Sequence, residues 1–143
     1  MSRLTKPSEI FKTEIFPAYI DCCASPRSER HAKIAAKAVS DQVEWTFEYY
    51  KQENSERLSG SKTVGYFRRQ LIEKCPELHI LWDAGDAAKH RFLDVPSKRR
   101  NPQPLISSPT AAYSEAEGEL LLDEKPFLPI LKAAVDFWKN WPD

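Results

Sequence analysis

Glycine is scarce, four residues in 143, and none forms a Gly-rich loop, which removes the phosphate cradles of Walker and Rossmann nucleotide sites. No Gly-x-Ser-x-Gly occurs, so the nucleophile elbow of an α/β-hydrolase is absent. The three cysteines, Cys22, Cys23 and Cys75, form no C-x-x-C pair, and their odd number argues against a secreted disulfide framework. They read as reduced, mostly buried thiols. No run approaches the ~20 apolar residues of a membrane span, and Met1 to Glu9 holds no apolar signal core. The expectation is a cytoplasmic protein with no membrane partner. Excess charge is also missing, since 21 Lys and Arg balance 21 Asp and Glu. Net charge therefore makes no case for a nucleic-acid partner.

What the chain does have is aromatic and aliphatic mass. Hydrophobic residues are 41% and charged residues 29% of the composition, the balance of a folded globular chain. At this length one core can form without disulfide or metal. The expected domain is a single unit over residues 1–143.

Apolar periodicity predicts helices through most of it. A first helix is expected after Pro7, with Ser8 as its cap, ending near Cys23 and kinked or broken at Pro17. A second, from about Glu29 to Glu53 with Ser28 as cap, has a broad apolar face and should be the central helix of a bundle. A polar loop over 54–61 leads to a third helix from about Thr63 to Cys75. Pro76 then suits the first turn of a fourth helix. Prolines 96, 102, 104 and 109 exclude regular helix in the next stretch. Two short apolar pieces, 104–113 and 118–123, could pair as a loose hairpin through 114–118. The last helix spans about Phe127 to Trp141. The predicted fold is mainly α: a bundle of about five helices, with a Pro-rich loop and short hairpin, together an excursion over 94–126, before the last helix.

The fourth helix concentrates the titratable chemistry. At about 100° per residue, His79, Asp83, Asp86 and His90 fall within roughly 60° of one another, with Ile80, Ala84, Ala87 and Ala88 opposite. One reading is a divalent-metal site built from His79, Asp83, Asp86 and His90, although a single helix offers few ligands. Another is a solvated face, on which Asp86 and His90 simply stabilise the helix. A third is phosphodiester chemistry, in which an imidazole exchanges protons and cations stabilise phosphorane charge. Lys89, His90 and Arg91, followed by Lys98, Arg99 and Arg100, supply both kinds of group. The segment Lys89 to Arg100 is basic, whereas Glu115, Glu117, Glu119, Asp123 and Glu124 make Ser114 to Lys125 acidic, so local fields of opposite sign coexist.

The long amphipathic helix, the helical pair after it and the Asp-x-x-Asp-x-x-Lys-His ending (Asp83, Asp86, Lys89, His90) resemble small uncharacterised bacterial helical proteins. More distantly they resemble HEPN domains, all-helical bundles in which many members are metal-independent RNases using an Arg, a polar residue and a His on one helix, often at a dimer interface. The resemblance implies His90 as the catalytic histidine and Asp86 as the polar residue before it, with Asp83 beside them. Beside it, the phosphodiester reading makes Lys89, Arg91, Lys98, Arg99 and Arg100 the phosphate-binding residues. The expected arginine is replaced by Gly85, so Arg91, Arg68 or Arg69 would have to supply it in space. The implied function is RNA binding or RNA-directed defence, by an active or a degenerate RNase. No cofactor is implied. The rival is a non-enzymatic interaction module, homodimeric or bound to another protein, whose anchors would be Trp138 and Trp141.

Overall fold

The computed structural model describes residues 5–58, 60–84 and 113–141. The fold is mainly α, five helical segments with a small three-stranded antiparallel sheet before the last. Among the described residues no helix is long and apolar enough to cross a membrane.

The first segment starts on Pro7, where a missing N–H costs nothing, and comprises α1 (Pro7–Ile10), a π turn (Phe11–Ile15) and α2 (Phe16–Ala24). The expected cap at Ser8 is not there: Ser8 lies within the first turn, and the capping position is Lys6, whose side chain makes no cap bond. Nor does Pro17 break the helix. Its ring would collide with the carbonyl four residues back, and the backbone accommodates it by widening, with the Phe16 N–H reaching the Phe11 carbonyl five residues back.

Helix α3 (Glu29–Glu53) is the axle of the bundle, 25 residues and so about 37 Å long. The Ser28 side chain accepts from the His31 N–H at 3.1 Å and also meets His31 Nδ1 at 2.7 Å, satisfying a donor the helix start would leave open. Ala32, Ala35 and Ala36 are buried, then Val39, Val43, Phe47 and Tyr50. The small residues allow close approach where α2 packs; the large ones fill the core further along. Two buried side chains bond across the bundle. Gln42 Nε2 donates to the Pro7 carbonyl at 3.1 Å, and Trp138 Nε1 donates to the Val39 carbonyl at 3.2 Å.

A single 3₁₀ turn (Ser55–Leu58) lies in the expected polar loop. Helix α4 (Val64–Lys74) follows, capped by the Thr63 side chain. Helix is resumed at once after the Cys75-Pro76 step; this helix, α5, is described over 77–84. Its core face is Leu78, Leu81 and Ala84, continuing from Cys75. Ile80, predicted for that face, is only partly buried, because the buried line follows the three-residue steps from Cys75. Ala87 and Ala88 lie outside the described residues.

The hairpin's second strand falls within the expected 118–123, whereas its first strand occupies the stretch expected as the connection. Strand β1 (Tyr113–Ala116) pairs with β2 (Glu119–Leu122), which pairs with β3 (Lys125–Pro126). Both connections are two-residue turns with positive φ throughout, Glu117 and Gly118 in the first, Asp123 and Glu124 in the second. That is the type I′ geometry matching strand twist. Leu120 and Leu122 turn into the core, and Arg27 meets Glu115 at 3.5 Å, joining the sheet to the α2–α3 turn. Helix α6 (Phe127–Lys139) closes the bundle with Ile130, Leu131, Ala134, Val135 and Trp138.

Candidate functional site

Helix α5 follows α4 after one break at Cys75-Pro76, and with Leu78, Leu81 and Ala84 turned inward it must present its remaining arc outward. On that arc His79 Nε2 lies 3.5 Å from Asp83 Oδ2, with side chains 59% and 46% exposed. The i,i+4 spacing read from the sequence therefore does bring these two together. An exposed pair of this kind is worth at most about 1 kcal/mol, so stability alone gives little reason for it. Chemically it is an imidazole and a carboxylate side by side and open to solvent.

Next to this pair on the same helix, Trp82 carries the guanidinium of Arg68 from α4 at 3.7 Å from its ring centroid, a cation–π contact that ties the two helices across the Cys75-Pro76 break. Arg68 thereby stands on the flank of α5 that bears His79. No spacing rule could have paired Arg68 with Trp82, since they are on separate helices. The proline between those helices was the one usable signal that the two run close together.

Of the other residues singled out in the sequence, Asp86, Lys89, His90, Arg91, Lys98, Arg99 and Arg100 lie outside the described residues. Of the four metal-site candidates only His79 and Asp83 are described. Among the described residues, no group of three or more His, Cys, Asp or Glu could hold a metal ion.

Of the tryptophans named as interface anchors, Trp138 is in the core and Trp141 is partly buried against it. Trp138 is 2% exposed. Trp141 packs on Phe67, Phe137 and Trp138 with ring centroids 6.4, 5.3 and 5.8 Å away. Trp138, on α6, and Trp141, two residues past its end, share a ring cluster with Phe67 of α4.

The thiols follow their burial. Desolvation pushes Cys22 and Cys75 up to about 11, so neither is a nucleophile at neutral pH. Cys22 donates to the His31 carbonyl at 3.2 Å, while Cys23 is exposed. Burial likewise raises the Tyr113 phenol, with Glu29 and Cys22 adding to the effect.

No protein-family model, curated protein or solved structure matches the chain.

Proposed function

We propose that this chain is a HEPN-like helical domain acting in RNA binding or RNA-directed defence, as an active or a degenerate RNase. His90 is the acid–base residue, Asp86 orients it with Asp83 on the same line, and Lys89, Arg91, Lys98, Arg99 and Arg100 contact phosphate. The observation that supports this reading is the outer arc of α5, where the exposed His79–Asp83 pair adjoins the Arg68–Trp82 stack. In the sequence, Asp86 and His90 follow His79 and Asp83 at the spacing of one helix face, and both lie outside the described residues. Arg68 is the described arginine nearest in role to the one that Gly85 lacks.

A rival reading also has an observation behind it. Phe16 and Ile20, one turn apart on α2, are 46% and 45% exposed, and such residues can seat a second copy.

The deciding experiment incubates the purified chain with single-stranded RNA without metal and measures both cleavage and binding. Cleavage that His90→Ala abolishes, with the helical signal unchanged, supports an active RNase. Salt-sensitive binding without cleavage supports a degenerate member. No RNA binding, together with a dimer by light scattering, overturns the proposal in favour of self-association through α2.

A further inference from the structure

The outer face of α4 has a composition that the reading of α5 does not use. Tyr66 is 57% exposed, the most exposed large hydrophobic side chain among the described residues. Hydrophobic burial cannot account for an aromatic ring in that position. The guanidinium of Arg69 lies 5.6 Å from its centroid. At about 100° per residue, Arg69 sits roughly 60° around the helix from Tyr66 and roughly 100° from Arg68. Tyr66 and Arg68 are therefore about 160° apart on α4: Arg68 turns to Trp82 on α5, and Arg69 stays beside the Tyr66 ring. From 62 to 74 the charges are Lys62, Arg68, Arg69 and Lys74 against Glu73 alone.

Cations beside rings recur through this part of the molecule. Arg57 lies over Tyr50 and Lys74 over Trp141 as well, which makes four such contacts among the described residues, where a whole chain of this length carries about two. The Tyr50 and Trp141 rings serve the core. Tyr66 serves nothing internal.

We infer that the Tyr66–Arg69 face of α4 is a stacking platform for single-stranded RNA, in which a base lies on Tyr66 and a flanking phosphate meets Arg69. This rests on the RNA reading above and adds the form of nucleic acid and the residues that recognise it. An aromatic face accepts any unpaired base, and an arginine beside it neutralises the strand. A paired base keeps its faces within the stack and cannot use the ring. An acidic peptide would satisfy the cations but would leave an exposed ring without a planar partner. The surplus of positive charge and the open ring together fit a strand of nucleotides.

The test measures binding of a uridine dodecamer, an RNA duplex of equal length and a polyglutamate peptide to the full chain and to Tyr66→Ala, Tyr66→Phe and Arg69→Ala. Tyr66→Ala should weaken dodecamer binding about five- to 150-fold, the worth of one stacked base, while Tyr66→Phe stays within about twofold. Arg69→Ala should lower the log–log salt slope by about 0.7. Melting temperatures should stay unchanged, since both side chains are at the surface. Dodecamer binding that is equal in the wild type and Tyr66→Ala overturns the platform and leaves the RNA reading standing. A wild-type chain that binds no RNA at low salt overturns both. Preference for polyglutamate, lost in Arg69→Ala, overturns the platform by assigning this face to an acidic protein.

Discussion

Trp138 and Trp141 allow one buried hydrogen bond to be weighed inside one cluster. Trp138 is 2% exposed and its Nε1–H reaches the Val39 carbonyl at 3.2 Å. The Trp141 Nε1–H is buried without a partner among the described residues. Trp138→Phe removes the donor, worth about 1 kcal/mol net. It also leaves about 40 Å³ less side chain in a site with little room to collapse, which at about 24 cal/mol per Å³ adds about 1 kcal/mol. The Val39 carbonyl is not orphaned, because it lies inside α3 and keeps its helical partner. The sum is about 2 kcal/mol, or a fall of about 6 °C in Tm for a domain of this size. Trp141→Phe loses part of a half-buried ring but also removes an N–H whose burial is uncompensated, so its cost should be under about 0.5 kcal/mol. Urea titrations of the two variants, with m-values compared to confirm a common unfolded state, give the difference directly. Equal costs would refute the assignment of stability to the Trp138 bond.

Three further outcomes are expected, two from the buried thiols and one from a strained turn. With all three thiols reduced, DTNB at pH 8 should label Cys23 rapidly and Cys22 and Cys75 only on unfolding, because the buried pair is held at about 11; three equally fast thiols would contradict that. The same burial makes stability decline as pH rises from about 9 toward 11, since the unfolded chain releases those protons first. Glu124 holds a φ of 67°, a conformation that costs an L-residue about 1 kcal/mol, so Glu124→Gly should stabilise the fold by up to about that amount in urea. A loss of stability would mean that the carboxylate makes a contact outweighing the strain.

Helix α3 was legible to the residue, because its apolar face, Ser28 cap and polar exit at Asn54 agree with one another. The i,i+4 pairing of His79 with Asp83 was equally legible, since it depends only on local geometry. Strand β1 was not: Tyr113-Ser-Glu-Ala has no alternation of apolar residues, and only its pairing to β2 makes it a strand. Strand β3 is two residues long and contains a proline, which propensity excludes and an edge position tolerates. Ile80 sits at the margin of the α5 stripe, where an apolar residue can face either way, and Cys75, across the proline, marks the line the buried face follows. The Arg68–Trp82 stack depends on how two helices cross, which no local pattern encodes.

The π turn before Pro17 has a consequence for insertions and deletions. It houses one residue more than an α-helix needs between the same two ends, so removing a single residue from 11–15 would restore the ordinary hydrogen-bond ladder. It would also turn everything ahead of it by about 100° relative to α2. Ile10 would leave the core and the Pro7 carbonyl would swing away from Gln42 Nε2, which lies 3.1 Å from it in this fold. A shorter first helix, more regular by every local measure, would therefore be the wrong phase for the rest of the molecule. The extra residue acts as a spacer that lets two apolar stripes of different phase, one on each side of a proline, address the same face of α3.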